Sequence, residues 1–120
     1  MHVLIAHEEG IMRSFRQKPL DETFPKCRVD HASSTIELIE KATNGEDYIL
    51  VIAGGKITSA DKFKSIKIIR DRGFRGEIWV YSPREDYRET AMTAGANNFY
   101  DNIKISDDER FKRDLSKLKD

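Results

Sequence analysis

The residues of this chain that could do chemistry gather at the ends of short apolar runs. His7, Glu8 and Glu9 follow the run His2–Ala6, and an imidazole beside two carboxylates is a set that could bind a metal ion. Adjacent residues at a strand end point in different directions, however, and no second His/Cys/Asp/Glu cluster has ligand spacing, so the expectation is a polar rim and no metal site. Ser82 could hold a phosphate-like group. Yet Ser82-Pro83-Arg84-Glu85 also combines a cap serine, a proline at the first helical position and a glutamate at the third, which predicts a helix start and explains Ser82 without a ligand. Gly54-Gly55 fits neither Gly-x-Gly-x-x-Gly nor a Walker lysine pattern. Cys27, the one cysteine, excludes an internal disulfide and reads as a small core residue rather than a nucleophile. Nowhere do a nucleophile, a base and an orienting group come together in sequence, so no catalytic residues and no cofactor are expected.

The element that must position these residues is the run Tyr48–Gly55, continuous in apolarity and too short for a globular helix. It predicts a strand covered on both faces, the centre of a parallel sheet flanked by helices. Such a strand delivers its carboxyl end to a ligand crevice. Here that end is Ala53, Gly54 and Gly55, and no carboxylate occurs between Asp47 and Asp61.

Around it, His2–Ala6 predicts a first strand. Ile11 and Phe15 recur at i and i+4 on a helix expected to stop before Pro19, with a connector from Leu20 to Lys26. Cys27–Ala32, of mixed polarity, suits a sheet edge. Ser34 and Glu37 have capping-box spacing ahead of a helix bearing Ile36 and Ile39 and closed by Asn44-Gly45. Thr58, Ser59 and Asp61 offer caps to a helix bearing Phe63, Ile66 and Ile69 that stops at Gly73. Glu77–Tyr81 predicts the fourth strand, with Trp79 in the core, and the helix begun at Ser82 runs to Gly95. Asn97–Asp101 predicts the fifth strand. Ser106 with Glu109 caps a last helix carrying Phe111, Leu115 and Leu118. Strands alternating with helices predict an α/β fold: one doubly wound, five-stranded parallel sheet in a three-layer sandwich, a single domain over residues 1–120.

Charged residues make up 35% of the chain but balance, 21 Lys+Arg against 21 Asp+Glu, so no strong field favours nucleic acid or an anionic membrane. No signal peptide or membrane span is read, and the single cysteine suits a reducing, cytoplasmic setting.

The β-α alternation, the acidic residues after the first strand and Ala94-Gly95-Ala96-Asn97-Asn98-Phe99-Tyr100 together resemble the response-regulator receiver domain (CheY-like, flavodoxin-like), over the whole chain. The resemblance implies positions. The acidic pair that holds magnesium in receivers is matched by His7 and Glu8, with Glu9 next. The acceptor aspartate is matched by Ala53, or by Gly54 if the register slips by one. Ser82 matches the hydroxyl residue, Asn102 the lysine that contacts the phosphoryl group, Ile103 the proline after it, and Phe99 the switch aromatic. Receiver autophosphorylation needs a carboxylate nucleophile, a divalent cation on oxygen ligands and a cation opposite. Alanine cannot attack, asparagine lacks the charge, and histidine weakens a hard-cation site.

The expectation is therefore a pseudo-receiver: a stand-alone signal-transduction module of two-component type that works without phosphorylation, by binding another signalling protein, as a monomer or weak homodimer. The resemblance places its partner face at the fourth-helix, fifth-strand and fifth-helix surface, where Phe99 or Tyr100 could be an exposed anchor. Two alternatives stay open: an active phosphoacceptor in a phosphorelay using another carboxylate such as Glu8 or Asp101, and a small nucleotide- or ligand-binding protein using the crevice at the strand ends.

Overall fold

The computed structural model describes residues 1–59 and 63–118. The chain alternates β1 (His2–Ala6), α1 (Gly10–Thr23), β2 (Arg28–Ala32), α2 (Thr35–Ala42), β3 (Leu50–Gly54), α3 (Lys56–Ser59), α4 (Lys64–Asp71), β4 (Glu77–Ser82), α5 (Arg88–Ala94), β5 (Asn98–Asp101) and α6 (Ile105–Ser116). All the pairings are parallel, in the order β2-β1-β3-β4-β5. The continuously apolar β3 is the middle strand and buried throughout, as its composition requires. β2, of mixed polarity, is an edge. Because the order reverses at β1, helices cover both faces. Leu20 of α1 and Phe111 and Leu115 of α6 pack with Ile5, Ile52 and Trp79 on one side; Leu38, Ile66, Ile69 and Ala91 pack with Leu4, Val51 and Val80 on the other. Trp79, Tyr81, Tyr100 and Phe111 form an aromatic knot with ring centroids 5.1 to 5.9 Å apart.

Register brings the strand ends to one rim. Ala6 lies beside Ala32 and Ala53, Gly54 beside Tyr81, and Ser82 beside Asp101.

Several local expectations are corrected. The first helix runs through Pro19 to Thr23 instead of stopping before it, so Leu20 to Thr23 is helix, not connector. An interior proline costs about 3 kcal/mol. Full burial of Leu20 offsets roughly 2 kcal/mol of that, and the Phe24 N–H closes the end on the Leu20 carbonyl at 2.7 Å. Ile11 and Phe15 point outward, 65% and 58% exposed. The inward stripe is instead Arg13, Arg16, Gln17 and Leu20, at i, i+3, i+4 and i+7. In α2 the buried pair is Leu38 and Ala42, with Ile36 exposed. Ser34 caps this helix by accepting from the Glu37 N–H at 3.1 Å, while the Glu37 carboxylate accepts from Ser33.

Thr58 lies inside α3, its hydroxyl donating to the Gly55 carbonyl, rather than capping the next helix. Asp61 and the Ser59 side chain lie outside the described residues. α4 begins after Phe63, the one described non-glycine residue with positive φ (67°), held there by a fully buried ring that meets Tyr87 edge-on. Ser82 ends β4 rather than starting a helix. A 3-10 turn, Glu85–Tyr87, intervenes before α5 because the Glu85 carboxylate is drawn to Arg88 instead of to a backbone cap. Ser106 lies within α6, which has no side-chain cap; Asp107 turns back to accept from the Asp101 N–H at 2.7 Å.

Candidate functional site

β1 ends by aiming His7 at the rim, and the ring is buried. The His7 N–H donates to the Ala32 carbonyl, and its own carbonyl accepts from Arg13 at 2.7 Å. His7 Nδ1 accepts from the Glu9 N–H at 2.9 Å, which commits that lone pair. Glu8 turns toward β3. Both of its carboxylate oxygens accept from the Lys56 N–H, at 3.0 and 3.1 Å. Partial burial opposes ionisation of Glu8, but the Lys56 N–H and neighbouring backbone amides outweigh it and hold its carboxyl below the usual range. Glu9 is exposed.

Glu8 and His7 thereby fill the space over the end of β3. A Cβ on Gly55 would collide with the Glu8 carboxylate and come within 2.7 Å of His7 Nε2, and φ at Gly55 is 69°. Only glycine suits both demands. Ala53 packs into the α2–α4 core, 1% exposed. Of the two acceptor positions the resemblance allows, Gly54 is the one that meets the rim: a Cβ there would lie 3.4 Å from His7 Cδ2. Neither position carries a carboxylate.

The remaining members sit apart from that point. Ser82 is buried, and its Oγ accepts from the Arg84 N–H at 3.1 Å, a local turn bond. Asn102 is exposed, its N–H donating to the Ser82 carbonyl. Asp101 is buried, with Oδ1 accepting from the Ile103 N–H and Oδ2 3.9 Å from Lys104. The magnesium that receivers hold between oxygen ligands does not fit these donors. The Glu8 oxygens serve Lys56, those of Asp101 serve its own loop, and among the described residues no three His, Cys, Asp or Glu side chains gather at metal distance.

Phe99 and Tyr100 are not surface anchors, because they are 1% and 0% exposed. Phe99 packs under Arg88, whose guanidinium carbon is 5.0 Å from the ring centroid, and Arg88 and Arg110 both donate to the Phe99 carbonyl. The Tyr100 hydroxyl donates to Asp114 at 2.7 Å, and burial together with that carboxylate pushes its titration up. The surface over β5 is thus a lid of Glu85, Arg88, Asp107 and Arg110.

The exposed apolar residues lie elsewhere. Ile11 and Phe15 on α1, with Ile103 and Ile105 beside the start of α6, are 58% to 79% exposed along the edge of the rim. Sequence periodicity named Ile11 and Phe15 but turned them inward. It passed over Arg16, which lies four residues before Leu20 and so shares its inward face.

No protein-family model matches the sequence, and no curated protein matches it. Solved structures do. The receiver domain of sensor histidine kinase PA1611 from Pseudomonas aeruginosa, with magnesium coordinated in its active-site cleft, superimposes with a TM-score of 0.74 at 16% identity over 98% of each chain. The response regulator domain of Thermotoga maritima CheB gives 0.73 at 16% identity, over 100% of this chain and 98% of that one. CheY6 from R. sphaeroides, solved in complex with the P1 domain of CheA3, gives a TM-score of 0.70 at 16% identity, over 98% and 97%. With the order β2-β1-β3-β4-β5 and this superposition, the chain has the CheY-like fold of response-regulator receiver domains.

Proposed function

We propose that this protein is a pseudo-receiver, a cytoplasmic signalling module that works by binding another signalling protein and neither accepts phosphate nor catalyses a reaction. The observation that carries this reading is the carboxyl end of β3, where Ala53 and Gly54 supply no nucleophile and the Glu8 carboxylate occupies the space above Gly55. Phosphoryl transfer to aspartate needs both a carboxylate and room for a tetrahedral anion beside a cation. Ala53 and Gly54 lack the first, and the Glu8 carboxylate above Gly55 argues against the second.

The partner surface is the apolar rim of Ile11, Phe15, Ile103 and Ile105. Exposed apolar residues that cluster, rather than scatter singly, mark contact surfaces. The occupant is a second signalling domain, by analogy with the R. sphaeroides neighbour solved with a P1 domain. The charged lid over Phe99 and Tyr100 is less suited, since isolated surface ion pairs add little to affinity.

The test is intact mass after incubation with acetyl phosphate and magnesium. The native chain should gain no phosphoryl adduct. Ala53→Asp and Gly54→Asp variants, each with Asn102→Lys, should also gain none while Glu8 fills the space over Gly55, and adding Glu8→Ala to the Gly54→Asp pair tests whether that carboxylate is the block. An adduct on the native chain, mapped to Glu8 or Asp101, would replace this reading with an active phosphoacceptor.

A further inference from the structure

Beneath the apolar rim, α1 and α6 part over the ends of β4 and β5, leaving a cavity of about 230 Å³ whose wall includes Arg16, Tyr81, Asn102, Ile103 and Ile105. It opens beside a larger groove along α1 that includes Phe15 and Pro19 and shares Arg16, Asn102 and Asp108. The Arg16 guanidinium lies flat on the Tyr81 ring, 3.5 Å from its centroid, and Tyr100 stacks on Tyr81 at 5.1 Å. Tyr81 is itself buried, so Arg16 is held against a rigid platform.

Burial disfavours the Arg16 charge, and Asp108 supports it only from a distance. The cavity wall carries two carboxylates, but Asp101 lies 3.9 Å from Lys104 and Asp108 lies 3.5 Å from Lys112. Among the described residues, no carboxylate comes within 4.0 Å of the Arg16 guanidinium, and no acceptor is hydrogen-bonded to it. The Tyr81 hydroxyl, buried behind that wall, has no hydrogen-bond partner. A part-buried arginine with its planar fork of donors unused costs desolvation that a carboxylate would offset by bidentate bonding. Ile103 and Ile105, 75% and 79% exposed at the mouth, offer contact for an apolar body.

We infer that this cavity binds a small organic acid, its carboxylate paired with Arg16 and its apolar body lying against Ile103 and Ile105. The volume suits a molecule of a few carbons or a single ring, below the usual size of a drug pocket. The site opens between α1 and α6, adjoins the β3 rim through Tyr81 and shares Ile103 and Ile105 with the proposed docking surface, but it does not rest on that reading, since the isolated chain should bind such an acid with no partner present.

The test titrates the isotopically labelled full chain, followed by amide chemical shifts, with benzoate, hexanoate and, as the uncharged counterpart, benzamide. Benzoate or hexanoate should give saturable shifts in the millimolar range or tighter, centred on Arg16, Tyr81, Asn102 and Ile103. Benzamide should bind at least tenfold more weakly. Arg16→Met, which keeps the stem over Tyr81, should abolish saturation, while Arg16→Lys should weaken it because an ammonium cannot bond in a planar fork. Equal binding of benzoate and benzamide by the native chain would overturn the proposal. So would saturation surviving in Arg16→Met, or no saturable shift with either acid.

Discussion

Glu8 is a carboxylate turned to a structural task at a rim where the fold usually places a metal ligand. Its bonds to the Lys56 N–H resemble a helix N-cap, so Glu8→Ala should cost about 1 kcal/mol in urea unfolding at neutral pH. Because the folded carboxyl titrates below its unfolded value, the stability it confers is present above the unfolded pKa and is lost as pH falls through the folded one. The gap between native chain and variant should therefore close below about pH 4. A gap that persists there would mean packing, not charge, holds Glu8. His31 has the same sign in a different window. Its burial, and Arg13 and Lys41 nearby, hold its titration down, while Nδ1 accepts from Arg13 at 3.3 Å and Nε2 bonds Gln17 at 2.7 Å. The neutral ring is the one the fold uses, so its contribution is complete above the ordinary histidine value, about 6.5, and is lost as pH falls. Replacing it, as His31→Gln, should flatten the decline in stability as pH falls below about 6.5.

At the scale of elements, what holds the helices is mostly not what capping signals announce. α4 is tied down by Arg70, which donates to the carbonyls of Phe74, Gly76 and Gly95 and to the Asn97 side chain at 2.7 to 2.9 Å. One side chain thus fixes the turns that start β4 and β5. Arg70→Ala should lose about 3 kcal/mol in urea unfolding, and Arg70→Lys should recover less than half, since a single ammonium cannot reach four acceptors in different directions. A loss under about 1 kcal/mol would show that water replaces these bonds freely. The serines with cap spacing fared unevenly for a physical reason. Ser34 caps because its helix starts in solvent, whereas Ser82 lies in a strand and Ser106 is already the second residue of its helix, where neighbouring carboxylates found other donors.

For the whole molecule, the sheet was legible in the sequence because β1, β3, β4 and β5 are short apolar runs ended by small or polar residues, and β2 betrays its edge position by its charges. The helix faces were less so. The inward stripe of α1 is largely polar, while Ile11 and Phe15 face solvent, which inverts the usual rule. The lack of a carboxylate at Ala53 and Gly54 could be read from the sequence directly. The cavity at Arg16 could not, since it exists only where α1 and α6 come together. That outward apolar surface gives a prediction at this scale. A Phe15→Gln, Ile103→Gln double variant should keep the native unfolding free energy within about 0.5 kcal/mol, while any complex with a signalling partner weakens at least tenfold. Marked destabilisation would instead place these side chains in packing.

The strand order also sets a timetable. β1, the first strand of the sheet to be made, is completed on one side by β2 but must wait for β3 on the other, so its inner edge stays open while α2 is made. Parallel pairing across such separations is slow, because loop closure costs entropy before contacts repay it. Until Val51 and Ile52 arrive beside Leu4 and Ile5, the nascent chain carries an uncovered apolar edge, and that interval is when this protein is most open to aggregation and to chaperones.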